Sequence, residues 1–169
     1  MKKILIIDDE NRTRDLIAKM IDSFGFDVET IPEGESVQSG IKAIETHSPD
    51  IVFIDIQMPD GTGFDVIRSI ENKKFEVIFI TAHEEFAIKA IKFSALDYLL
   101  KPVDTTELKA ALEKALAVIE ENNGHSQFDA LQKNIIPNEK RRLVLKTQQS
   151  VHVVELDQII RCEADRNYT

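Results

Sequence analysis

The chain has no tryptophan and only one cysteine, Cys162. A lone thiol excludes an intramolecular disulfide and supplies no zinc-ligand spacing. Cys162 therefore reads as a small buried apolar side chain. Membrane-length apolar runs are missing too. Ile4–Ile7 and Ile51–Ile54 each end at an aspartate after four residues, far short of the ~20 that cross a bilayer. Met1-Lys2-Lys3 has the charge of a secretory leader, but the apolar run behind it is too short for a core of ~7–15 residues. No membrane segment is expected, and the expected compartment is the cytoplasm. Basic charge is scarce at first: Met1–Glu120 holds 14 basic and 23 acidic residues, net −9, and the last 49 residues hold 7 of each. Phosphate contacts need Lys and Arg, so the acidic part is not expected to bind nucleic acid. Lys140-Arg141-Arg142 is short enough to be a solvated linker edge.

What is present is a regular alternation. With 43% hydrophobic and 30% charged residues over 169 positions, the chain fits one globular domain with something appended. Strands are predicted at Ile4–Ile7, Asp27–Ile31, Ile51–Ile54, Val77–Ile80 and Asp97–Leu100. Between them, helical spacing predicts helices over Thr13–Phe24, Glu35–Thr46, Phe64–Ile70 and Glu84–Lys92. Gly25 is placed to end the first helix. A last helix starts at Asp104 or Thr105, with Asp104 and Glu107 as cap and acidic first turn, and ends at Asn122-Asn123-Gly124. Three of the strands are continuous apolar runs, so they predict a five-stranded parallel sheet covered by helices on both faces.

In such sheets ligands sit beyond the carboxyl ends of the strands. There the sequence puts Asp8, Asp9 and Glu10 after the first strand and Asp55 after the third. Thr81 follows the fourth, and Lys101-Pro102 the fifth. Each residue has a plain structural reading: Asp8 or Asp9 as the first helix cap, Thr81 as the fourth, Lys101 as a solvated lysine. Together they bring carboxylates, a hydroxyl and an ammonium to one edge. Two carboxylates about 4 Å apart repel by roughly 4 kcal/mol at an effective dielectric near 20. Such a cluster raises a pKa or needs a cation. Carboxylate oxygens without His or Cys favour Mg2+ or Mn2+ over zinc.

The stretches "ILIIDDE", "IVFIDIQMPDGTG", "VIFITA" and "DYLLKPV", in this order and spacing, resemble the response-regulator receiver domain of two-component signalling, a flavodoxin-like fold. The resemblance covers about Met1 to Glu120. It implies that Asp55 accepts a phosphoryl group from a sensor histidine kinase. Asp8, Asp9, Asp55 and the backbone carbonyl of Gln57 would hold Mg2+. Thr81 and Lys101 would contact the phosphoryl oxygens, Tyr98 would be the switch aromatic, and Lys101-Pro102 would carry a cis bond. Phosphorylation would turn Tyr98 inward and remake the face of the fourth helix, fifth strand and last helix as a homodimer contact. His83 and Gln57 are expected at the mouth of the site, either orienting a hydrolytic water or simply exposed.

The remaining residues are expected to divide into a linker over 122–139, with one short helix carrying Phe128, Leu131 and Ile135, and a β-rich segment over 140–169. Arg142–Lys146 and Val151–Glu155 carry a hairpin signal, and Ile159–Cys162 is a third run. Beside a receiver, "RLVLKTQQSVHVVELDQIIRCEADRNYT" resembles the opening of a LytTR-type DNA-binding domain. The resemblance implies that the chain stops within that domain. DNA binding would then belong to the full-length output domain and not to this fragment. Strands without a core of their own need a partner: a second copy by preference, a swapped linker, or the receiver's own surface. Two other classes compete. An Asp-nucleophile phosphatase would carry Asp-x-Asp after its first strand, whereas here Gln57 stands two places after Asp55. A phosphorylation-independent pseudo-receiver would lack part of the acidic pair, Thr and Lys set. The sequence thus favours a switch over a turnover enzyme.

Overall fold

The computed structural model describes residues 1–71, 73–129, 142–146 and 151–155. In chain order the elements are β1 (Lys2–Ile7), α1 (Asn11–Ser23), β2 (Val28–Ile31), α2 (Val37–His47) and β3 (Ile51–Ile54). The two-residue strands β4 (Gln57–Met58) and β5 (Gly61–Thr62) lead into α3 (Gly63–Ser69) and β6 (Glu76–Thr81). A 3₁₀ turn (Glu84–Phe86) runs into α4 (Ala87–Lys92), followed by β7 (Asp97–Leu100), α5 (Thr105–Asp129), β8 (Arg142–Lys146) and β9 (Val151–Glu155).

Five strands form one parallel sheet in the order β2-β1-β3-β6-β7. The chain moves outward from β1 to β2, then crosses back to β3, so the switch point lies between β1 and β3. Alternate strand residues feed two cores. Leu5, Ile7, Val52, Ile54, Val77 and Phe79 pack with α2, α3 and α4. Ile4, Ile6, Ile51, Phe53, Ile78 and Ile80 pack with α1 and α5. Burial on both faces is why these strands are apolar at every position; each fully buried Ile or Phe contributes about 1.5–3 kcal/mol relative to exposure. Phe64 ties α3 to its neighbours, its ring centroid 4.7 Å from Phe79 and 4.9 Å from Phe93.

Local chemistry sets the ends. Ser36 caps α2 by accepting from the Ser39 amide at 3.1 Å. Gly25, at φ 75, takes the left-handed conformation that closes α1. Asp104 caps α5, its Oδ1 accepting from the amides of Thr106 at 2.8 Å and Glu107 at 3.1 Å.

Two expectations are corrected. The last helix does not stop at Asn122-Asn123-Gly124 but runs through them to Asp129. Glycine costs a helix only about 1 kcal/mol relative to alanine, which an established helix absorbs. The fourth helix begins as a single 3₁₀ turn before becoming α-helical at Ala87. The predicted hairpin forms as β8 paired antiparallel with β9. Its neighbours within the chain lie on the receiver's own surface, one of the three settings open to it. Cα atoms of β8 come within 8 Å of α4, and those of β9 within 8 Å of the sheet-edge strand β7. The predicted linker helix around Leu131–Ile135 and the run Ile159–Cys162 lie outside the described residues.

Candidate functional site

The carboxyl ends of β1, β3, β6 and β7 meet at the switch point. Asp8 follows β1 directly and is buried, and Asp55 follows β3 and is buried. Asp9 is exposed beside them. Each of the three offers one carboxylate oxygen, and these oxygens lie within 4.8 Å of one another. At that separation and an effective dielectric of about 20, each pair of charges repels by about 3.5 kcal/mol. The ammonium of Lys101 answers part of this, 2.6 Å from Asp55 Oδ2 and 2.7 Å from Asp8 Oδ2. The bond to Asp55 is a well-formed hydrogen bond. The approach to Asp8 Oδ2 is a similarly close ion pair, so the one ammonium is shared between two buried carboxylates.

Burial holds the Asp8 carboxyl above the ordinary aspartate value; the Lys101 ammonium pulls it down without compensating, and the charge of Asp55 adds to the rise. Burial works against the Lys101 ammonium as well, but its bonds to Asp55 and Asp8 outweigh that and hold its pKa above the usual value. The site is therefore short of positive charge. Three converging carboxylates answered by one ammonium fit a hard divalent cation such as Mg2+.

The loop after Asp55 is built for close approach. β4 and β5 pair antiparallel, Gln57 with Thr62 and Met58 with Gly61, which turns the chain at Pro59-Asp60. The Gln57 amide donates to Asp55 Oδ1 at 3.2 Å, orienting the carboxylate from below. Gln57 itself is exposed. A Cβ on Gly63 would stand 2.3 Å from the Asp55 carbonyl oxygen, so this position requires glycine.

Thr81 ends β6, fully buried, and its hydroxyl has no hydrogen-bond partner. It caps nothing. The Lys101 amide donates to the Thr81 carbonyl at 2.9 Å, which keeps the ends of β6 and β7 in register beside the acidic cluster. The Lys101-Pro102 bond is cis, as the resemblance implied. Tyr98, expected to turn inward on phosphorylation, already points inward in this structure, buried and with its hydroxyl donating to the His83 carbonyl. Burial, then the charges of Glu85, Asp55 and Glu84, push its phenol well above the ordinary value. The His83 ring is half-buried and turned to Glu85, Nδ1 to Oε1 3.2 Å.

Two further residues, Arg14 and Asp60, were not singled out by the sequence, and Gly63 was read only as part of the bend after Asp55. Arg14 is buried; it donates to the Asp8 carbonyl oxygen and, at 3.0 Å, to Asn11 Oδ1. Its signal was present: Arg14 shares a helical face with Ile17, Ala18 and Ile21, the other buried residues of α1. Asp60 reaches across to α2, where its carboxylate accepts from the amides of Val37 at 2.6 Å and Gln38 at 3.1 Å. Gly63 owes its identity to a contact made only in three dimensions.

Residues 4–113 match the response regulator receiver domain, and the chain belongs to that family. It is similar, at 30% identity over 174 residues, to an uncharacterized response regulatory protein of Vibrio cholerae, with 97% of this chain and 67% of that protein covered. It is also 30% identical over 165 residues to the sensory transduction protein LytT of Bacillus anthracis, covering 95% of this chain and 65% of that one. Its length spans between 49% and 67% of the first curated relatives it matches. Among solved structures it resembles the response regulator TrrA of Thermotoga maritima in complex with Mg2+ and BeF, with a TM-score of 0.59 and 29% identity over 68% of this chain and 99% of that one. Among the described residues no helix is long and apolar enough to cross a membrane.

Proposed function

We propose that this chain is the phosphoryl-accepting switch of a two-component transcription regulator. Asp55 takes the phosphoryl group from a sensor histidine kinase. Asp8, Asp9, Asp55 and the backbone carbonyl of Gln57 hold Mg2+, a cation that the TrrA structure contains. Bound there, the cation neutralises charge on the transferring phosphoryl group. Lys101 supplies the protein's own neutralising charge and orients Asp55, and Thr81 contacts a phosphoryl oxygen. Phosphoryl transfer relies mostly on positioning and charge neutralisation, which this set supplies without a separate acid or base. The observation that carries the reading is the Lys101 ammonium held between two buried aspartates at the sheet switch point, with a third carboxylate within reach.

The receiver unit spans residues 1–121, with 122–139 as linker and 140–169 as the start of a LytTR-like output domain; relatives that include LytT support that assignment. Phosphorylation favours a homodimer, and DNA is bound through the complete output domain. The chain is a switch, not a turnover enzyme. Intact-mass spectrometry after incubation with acetyl phosphate and Mg2+ tests the reading. One base-labile phosphoryl adduct is expected, absent with EDTA and absent in Asp55→Asn. Full labelling of Asp55→Asn, or labelling indifferent to EDTA, would overturn it.

A further inference from the structure

We infer that Arg14 is a positioning residue for the divalent-cation site, acting through the main chain of the turn between β1 and α1. The inference rests on the reading of Asp8, Asp9 and Asp55 as cation ligands. Arg14 is 8% exposed, and both of its hydrogen bonds go to neutral oxygens, the carbonyl of Asp8 and Asn11 Oδ1. Its Nε has no hydrogen-bond partner. Burying a charge on such terms costs free energy, and an apolar side chain would continue the stripe of Ile17, Ala18 and Ile21 without that cost.

What the guanidinium fork does instead is fix the turn. It joins the first residue after β1 to the first residue of α1, beneath the two aspartates. The Asp8 carboxylate is held from the other side, where Oδ1 accepts from the Glu10 amide at 2.9 Å. Main chain and side chain of Asp8 are thus both oriented, and its second oxygen is presented to the cluster. Groups that orient metal ligands typically hold 10–100-fold of metal affinity.

Charge alone predicts the opposite sign. Arg14 is a buried cation close to the site, so removing it should tighten cation binding if electrostatics were all that mattered. The two effects are separated by titrating the whole chain with Mn2+ and counting free Mn2+ by electron paramagnetic resonance, alongside urea unfolding. Arg14→Met should bind Mn2+ at least tenfold more weakly than wild type while still folded. Arg14→Lys keeps the charge but lacks the fork, and should also lose affinity, by about threefold or more. Unchanged or tighter Mn2+ binding in folded Arg14→Met overturns the inference and leaves the phosphoryl-switch reading standing. If Arg14→Met does not fold, wild-type affinity in Arg14→Lys overturns it equally. Failure of the wild-type chain to bind Mn2+ overturns both.

Discussion

Gly63 and Asp55 touch through a contact that leaves no room for a side chain: a Cβ on Gly63 would lie 2.3 Å from the Asp55 carbonyl oxygen. The Gly63 amide also donates to the Ile56 carbonyl at 2.9 Å, so the start of α3 is seated directly on the backbone that carries Asp55. Gly63→Ala must push the two segments apart. Overpacking of this kind costs about 1–3 kcal/mol, and the displaced backbone is the one that aims Asp55. Urea unfolding should show the loss, and labelling by acetyl phosphate should slow. Gly25→Ala is the comparison, because Gly25 has open space around it and only its φ of 75 to object. It should cost about 1–2 kcal/mol and leave labelling unchanged.

Asp60 links the loop after Asp55 to the amino end of α2. Its bond to the Val37 amide, against a smaller opposing effect of desolvation, holds the carboxyl below the ordinary value. A depressed folded-state pKa stabilises above the unfolded value and is lost as pH falls through the folded one. Asp60→Ala should therefore unfold at lower urea than wild type at neutral pH. The gap should close as the pH drops below about 4, the ordinary aspartate range. A gap independent of pH would detach the effect from the carboxylate.

Asp8 has the opposite sign. Burial raises its pKa, so ionisation is more costly in the folded chain than in the unfolded one. The stability it contributes is present at low pH and lost as the pH rises through the raised value. Asp8→Asn should accordingly be more stable than wild type at neutral pH without divalent cations. A bound cation reverses the balance by stabilising only the folded state and by requiring the ionised carboxylate. Mg2+ should raise the melting temperature of wild type at pH 7, less at pH 5, and not at all in Asp8→Asn. Chelation with EDTA should return wild type to its cation-free value.

How much of this was legible depended on where the determining interaction lies. The ends of β3 and β7 fall where the sequence put them, because a continuous apolar run stops at a charged residue. Asp8, Asp9, Asp55, Thr81 and Lys101 were readable as a group because parallel topology carries every strand end to one edge. Their hydrogen bonds were not, nor was the unpartnered hydroxyl of Thr81. The stop at Asn122-Asn123-Gly124 failed because weak helix formers end a helix only when nothing else sustains it. Gly63 looked like turn chemistry and Asp60 carried no reading, and the longer-range contacts of both have no trace in local sequence. Arg14 was legible in principle, as the one charged member of the buried stripe of α1.

His83 and Gln57 are expected to bear on how long a phosphoryl group on Asp55 would last. The His83 ring leans on Phe86, centroids 5.8 Å apart, with Nδ1 engaged by Glu85, while Gln57 is exposed beside Asp55. Replacing both with alanine should change the hydrolysis rate of the aspartyl phosphate by more than twofold, followed as decay of the adduct mass. A rate within twofold of wild type would make them ordinary loop residues.

Thr81 and Tyr98 carry the prediction about the switch itself. The Thr81 hydroxyl is fully buried and unpartnered, a state that costs about 1–3 kcal/mol. A phosphoryl oxygen on Asp55 would give that hydroxyl an acceptor. Tyr98, buried on the neighbouring strand β7, holds the loop after β6 through the His83 carbonyl, and that loop leads into α4, where Ile88 is 70% exposed. Occupying the Thr81 hydroxyl should therefore shift a two-state loop and the α4 face with it. Thr81→Val removes the unpartnered hydroxyl at nearly constant shape, so the unphosphorylated chain should be as stable as wild type or more so. It should still accept a phosphoryl group on Asp55 but lose the dimerisation that BeF3− and Mg2+ induce in wild type, measured by sedimentation. Ile88→Asp should give the same loss of dimer with labelling intact. Equal dimerisation of wild type with and without BeF3−, or full induction in Thr81→Val, would separate this residue pair from the output.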